Sequence, residues 1–129
     1  MNEDLRKRID VALAGIRCFP ECKSELMVIL DDSGLKERFI SELETRVKYL
    51  KLYGNMVVTH FPRKFEKLQD AQGLYSMRFR MQKNIRIIYG YNNNEVLLLA
   101  FEEKSGKQHS NYTNKIPLAL ARLAKLKRG

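Results

Sequence analysis

The run Gly73-Leu74-Tyr75-Ser76-Met77-Arg78-Phe79-Arg80, then Asn84-Ile85-Arg86-Ile87-Ile88-Tyr89, then Val96-Leu97-Leu98-Leu99-Ala100-Phe101, decides the fold class. In 74–81, Tyr75, Met77, Phe79 and Met81 fall on one side, and Ser76, Arg78 and Arg80 on the other. In 85–91, Ile85, Ile87, Tyr89 and Tyr91 share a side, with Arg86, Ile88 and Gly90 opposite. A period of two is the signature of a strand with one face packed. Lys83-Asn84 and Asn92-Asn93-Asn94 supply turn residues, since Asn tolerates positive φ. The third run is apolar at every position, so it is expected to be covered on both faces. Residues 74–101 therefore read as an antiparallel meander.

The segments on either side follow a helical period. In 35–53, Leu35, Phe39, Leu43, Val47 and Leu50 recur at steps of three and four, widened by Ile40 and Tyr53. Ser33 is the expected N-cap and Gly54 the C-terminal stop. Residues 114–127 give a second amphipathic helix with Ile116, Leu118, Ala119, Leu120, Leu123 and Leu126 inward, and Pro117 in its first turn. Leu5, Ile9, Ala12, Leu13 and Ile16 predict a helix over 3–16, closed by Gly15 and Pro20. The apolar run 26–30 is too short to type by period. Its β-branched content and the following Asp31-Asp32-Ser33-Gly34 turn favour a strand, while Glu21–Glu25 would feed a helix. Residues 56–68 read as a loop or short helix broken at Pro62. The expected class is α+β: a four-stranded, mainly antiparallel sheet flanked by helices. Residues 1–25 form an N-terminal helical extension and 26–129 the main domain.

The charge is confined to one half. Residues 1–59 carry ten Lys/Arg and ten Asp/Glu, whereas 60–129 carry fourteen against five, so the whole formal +9 lies there. Arginines on a rigid sheet suit a phosphate-rich partner. No apolar run reaches the ~18 residues of a membrane span, and the charged start Met1–Arg8 lacks the apolar stretch of a signal peptide. A cytoplasmic, single-domain protein is the expectation. Cys18 and Cys22 stand without a second cysteine or histidine pair, and His60 and His109 are isolated. Reduced thiols are therefore expected, with no metal and no cofactor.

The order of pieces — a basic pair Lys64 and Lys67, then GLYSMRFR, NIRIIYGY, VLLLAFEEK and LALARLAKL — resembles the RelE/HigB toxin superfamily, especially its phage-derived HigB-like branch. The likeness covers about residues 35–127. It implies a RelE/ParE-like fold and a type II toxin that cleaves mRNA at the ribosomal A site and is neutralised by a cognate antitoxin protein. Carried over by position, Arg78, Arg86 and Lys104 match the strand arginines and the lysine after Phe101. Lys64, Lys67, Arg80 and Lys107 are the expected RNA contacts. Glu103 departs from the pattern, standing where a lysine is expected, and Ser76 replaces a usual Glu. The alternatives on the same fold are a non-catalytic ParE-like inhibitor of a protein target such as gyrase, or a phage accessory nucleic-acid-binding protein.

Metal-free RNA cleavage uses the ribose 2′-hydroxyl as nucleophile. It needs a base, a cation for the charge developing on phosphorus, and an acid for the leaving oxygen. Arg78 and Arg86, on neighbouring strands, supply the cations, and Gly90 leaves space for a phosphate to approach. Lys104, His109 and Tyr112 are the candidate acid–base groups. Tyr75, Tyr89 and Tyr91 fit the core better than a base-stacking platform.

Overall fold

The computed structural model describes residues 2–31, 34–69, 73–103 and 108–128. In chain order these form α1 (Asn2–Leu13), β1 (Arg17–Cys18), α2 (Pro20–Leu30), α3 (Lys36–Tyr53), a 3₁₀ turn (Gly54–Met56) and α4 (Val57–His60). β2 (Phe65–Lys67), β3 (Tyr75–Arg80), β4 (Asn84–Asn92), β5 (Asn94–Glu102) and α5 (Gln108–Arg128) follow.

The class is α+β, with a five-stranded mixed sheet in the order β1-β5-β4-β3-β2 in place of the expected four antiparallel strands. β2 to β5 form an antiparallel meander. The difference lies at the two edges. β1 pairs parallel with β5, Arg17 opposite Val96 and Cys18 opposite Leu97, and β2 adds a three-residue strand. Two- and three-residue pieces carry no readable period. Residues 26–30 are helical, the last turns of α2, which starts on Pro20 and carries Glu21 in its first turn. The expected N-cap Ser33 lies outside the described residues. Leu35 flanks the first turn of α3, its carbonyl accepting the Phe39 N–H at 2.8 Å. Gly54 ends α3 with φ +55°, a backbone angle that favours glycine.

Each face of the sheet is packed separately. α1, α2 and α3 bury Leu5, Ile9, Leu26, Phe39, Leu43 and Leu50 against Met77, Phe79, Ile85, Ile87 and Tyr89. On the other face α5 lays Ala119 and Leu123 against Leu74, Ile88, Val96, Leu98, Leu99 and Phe101. A register shift opposite Ile88/Tyr89 carries β5 from pairing at Leu99 to pairing at Leu97, so Leu98 and Leu99 both serve the α5 face. The sequence-drawn boundary at 25/26 falls inside α2. Leu5, Ile9, Ala12 and Leu13 share one cluster with the later helices. Burying three large aliphatic side chains from α1 contributes about 1.5–3 kcal/mol apiece. The outer edge of β5 beyond β1 is closed by side chains, Glu25 Oε1 accepting the Ala100 N–H at 3.0 Å and Arg122 Nη1 donating to Leu98 O at 2.8 Å. Among the described residues no helix is long and apolar enough to cross a membrane.

Candidate functional site

The face of the sheet beneath the first half of α5 is polar, because the even positions of β3 and β4 alternate there. Register sets Arg78 directly opposite Arg86, and Glu66 of β2 opposite Ser76. The two arginines therefore adjoin, as expected, but neither is free. Arg78 Nε donates to Glu66 Oε1 at 3.0 Å, and its Nη2 lies 2.6 Å from Glu66 Oε2. Arg86 Nη2 donates to Glu103 Oε1. Arg86 is 5 % exposed and Glu103 6 %, so this pair is shut away from water. The expected basic face of the sheet is thus corrected. Two carboxylates neutralise its two central members, and Arg86 belongs to the interior.

Tyr112 joins the two halves. Its hydroxyl donates to Glu66 Oε1 at 2.9 Å and lies 2.9 Å from Ser76 Oγ. Its ring meets Phe101 edge-on with centroids 5.5 Å apart. Ser76 is on β3 and Phe101 on β5, so Tyr112 lies across β4, where Phe101 is the register partner of Arg86. Burial pushes the Tyr112 hydroxyl above its usual range, Ser76 draws it back, and the Glu66 charge adds to the rise. Burial also raises the Glu66 carboxyl, but the hydrogen bonds from Arg78 and Tyr112 outweigh it and leave Glu66 below the usual carboxylate range. Arg78 is held above its ordinary value by its hydrogen bond to Glu66. Beside this network a cleft of about 400 Å³ is lined by Glu66, Lys67, Leu68, Gln69, Tyr112 and Ile116, among others.

The pair carries three unmet bonds. Among the described residues, Arg86 Nε, Arg86 Nη1 and Glu103 Oε2 are buried without a hydrogen-bond partner. Buried polar atoms in folded proteins are almost always satisfied, and a cluster of exceptions points to an absent partner.

The remaining expected residues scatter. Lys64 sits in the turn before β2, its carbonyl accepting the Arg78 N–H at 2.8 Å. Lys67 is in register with Tyr75, so it alternates away from Arg78 and reaches the cleft from the sheet edge. Arg80 is exposed at the end of β3. Lys104 and Lys107 lie outside the described residues, and of His109 only its place in α5 is described. His60 packs its ring 5.2 Å from that of Tyr53. Tyr75, Tyr89 and Tyr91 contact one another against the core. Gly90 offers no space to a phosphate, for an added Cβ would meet Gly73 O at 3.3 Å and a Leu123 methyl at 3.3 Å. Pro117 lies inside α5 rather than in its first turn, because the helix starts at Gln108.

Three contributors were not singled out from the sequence. Glu66 lies in the segment read as loop. Glu103 was seen only as a departure from a pattern. Arg46 of α3 donates from Nε (2.9 Å) and Nη2 (2.6 Å) to the carbonyl of Arg78, and its guanidinium stands 4.4 Å from the Phe79 ring centre. The signal for Arg46 was present, since it falls between Leu43 and Leu50 on the apolar stripe of α3. Compared with known proteins, the chain matches no family model, no curated protein and no solved structure.

Proposed function

We propose that this protein is a RelE/HigB-like toxin, a metal-free endoribonuclease that cleaves mRNA presented by the ribosome in the cytoplasm and is held in check by an acidic antitoxin protein. The observation that supports this most is the meeting of two arginines, a tyrosine hydroxyl and a serine on one sheet face beside a cleft of about 400 Å³. Arginines stay charged and bind phosphate oxygens bidentately, so Arg78 and Arg86 take the charge that develops on phosphorus. Tyr112, whose hydroxyl shares Glu66 Oε1 with Arg78, serves the leaving oxygen. Glu66 orients Arg78 and Tyr112 together. The ribosome supplies the alignment of the mRNA, a positioning effect of about 7–11 kcal/mol at its largest.

Induced expression followed by primer extension on cellular mRNA tests this. New 5′ ends within open reading frames are expected. Growth arrest with intact mRNA and trapped gyrase would instead select a ParE-like inhibitor. That second reading draws on the pairing of both arginines with internal carboxylates, which leaves a phosphate to compete for them.

A further inference from the structure

We infer that Glu103 is the general base of the reaction and the residue that selects RNA. This rests on the endoribonuclease reading above. Of the two carboxylates in the site, Glu66 has both oxygens engaged, Oε1 by Arg78 and Tyr112 and Oε2 by Arg78. Glu103 has one oxygen engaged and one, Oε2, with no donor among the described residues. On the other member of the same ion pair, Arg86 Nε and Nη1 have no acceptor among them. The unit thus asks for a ligand that brings an acceptor and a hydroxyl donor side by side. A ribose with its 3′-phosphate has that pattern, the 2′-hydroxyl being the neighbour of the phosphate. A deoxyribose would bring a phosphate charge to Glu103 with no proton to share.

The phosphate oxygens settle on Arg86 Nε and Nη1, and the 2′-hydroxyl donates to Glu103 Oε2. Glu103 takes that proton as the 2′-oxygen forms its bond to phosphorus. The bond from phosphorus to the 5′-oxygen breaks, leaving a 2′,3′-cyclic phosphate. Tyr112 gives its proton to the departing 5′-oxygen and regains one from water, while Glu103 loses its proton to water. The charged and polar groups facing the pair are Arg78 on β3, Glu66 on β2 and Tyr112 on α5. The pair is closed in the free protein, and a substrate reaches it by displacing Tyr112, which bonds Ser76 and Glu66, packs on Phe101 and precedes Pro117. That proline withdraws one backbone hydrogen bond from the interior of α5 and marks where the helix bends most easily.

The test compares binding of one fluorescent RNA 12-mer with its 2′-fluoro counterpart, which keeps a similar sugar shape but cannot donate. The full-length protein is expected to prefer RNA about ten-fold or more, the effect of one hydrogen bond to a charged group. Glu103→Gln, whose amide keeps an acceptor toward Arg86, should abolish the preference, mostly by tightening the 2′-fluoro complex. It should also slow single-turnover cleavage on programmed ribosomes by about 10²–10⁴-fold. A purely structural Glu103 would weaken both oligonucleotides alike. An unchanged preference in Glu103→Gln, wild-type cleavage by it, or no preference in the wild type overturns the assignment. If Glu103→Gln does not fold, Glu103→Asp takes its place: it keeps the charge but shortens the reach by one methylene, and an unchanged preference with wild-type cleavage overturns the assignment. Should the wild type cleave mRNA while Glu103→Gln cleaves equally well, only this inference fails. Should the wild type prefer RNA yet never cut it, the endoribonuclease reading fails and the recognition by Glu103 stands.

Discussion

Removing one partner of the Arg86–Glu103 pair should damage the fold far more than removing both. Each side chain is at most 6 % exposed, so in the closed fold the survivor of the pair has little water to solvate it. Glu103→Leu leaves a guanidinium buried with no acceptor, and Arg86→Met leaves a carboxylate with none. Breaking a buried pair in this way costs about 3–5 kcal/mol, whereas exchanging the pair for apolar residues of similar size is near neutral or stabilising by about 1–4 kcal/mol. A domain of this size has about 5–15 kcal/mol in all, so each single variant loses a large share. Its melting point should fall by about 10–20 °C. Urea unfolding at pH 7 of the wild type, both single variants and Arg86→Met/Glu103→Leu gives the coupling energy directly. Either single variant losing less than about 1 kcal/mol, or a double variant as weak as the sum of the two, would refute the burial argument. The same result bears on any test of catalysis by Arg86→Ala. An exposed arginine contributes little stability, but Arg86 lies inside the fold and its removal is not neutral.

Glu66 has a native carboxyl below its unfolded value, so its contribution is present above the ordinary carboxylate range of about 4.3 and is lost as pH falls through the lowered native value. Acid titration of stability should therefore be shallower between about pH 5 and pH 2 in Glu66→Gln, and an unchanged acid limb would contradict the pairing. Gly90→Ala should cost about 1–3 kcal/mol by urea unfolding, since the new Cβ presses on a backbone oxygen and a Leu123 methyl, both at 3.3 Å. Ile9→Ala should cost about 2–5 kcal/mol, because Ile9 is fully buried in the main cluster. A loss under about 0.5 kcal/mol would mean that α1 is dispensable to the core.

The central meander was legible because a period of two persisted from Tyr75 through Tyr91 and the helical period resumed on either side. Both faces of β5 are covered, as its unbroken apolar run required. The meeting of Arg78 and Arg86 was legible for the same reason, since a tight turn at 81–83 brings their strands into register. What escaped was set by partners far off in sequence. β1 has two residues, and only its place beside Val96 and Leu97 makes it a strand. Residues 26–30 took their helical form from the turns before them, against their β-branched content. The charge state of the site depended on Glu66 and Glu103, which no local pattern ties to Arg78 and Arg86. Net charge was therefore a poor guide to which cations are free. The excess in 60–129 is real, but its most central members are the most fully compensated.

The parallel pairing of β1 with β5 sets a timetable for biosynthesis. Cys18 leaves the peptidyl-transferase centre 79 residues before its partner Leu97. At about 5–20 residues per second that is a wait of roughly 4–16 s. For most of that time Leu5, Ile9 and Leu13 of α1 have no sheet to cover them, because β3, β4 and β5, which form the floor beneath α1 to α3, begin only at Tyr75. α5, which closes the opposite face, comes later still. The nascent chain therefore carries its helices exposed until nearly all of its strands exist. Its core then forms in a late step, not progressively from the N-terminus. A ribosome stalled between residues 60 and 95 would hold an unfinished, apolar-faced chain, open to chaperones and proteases.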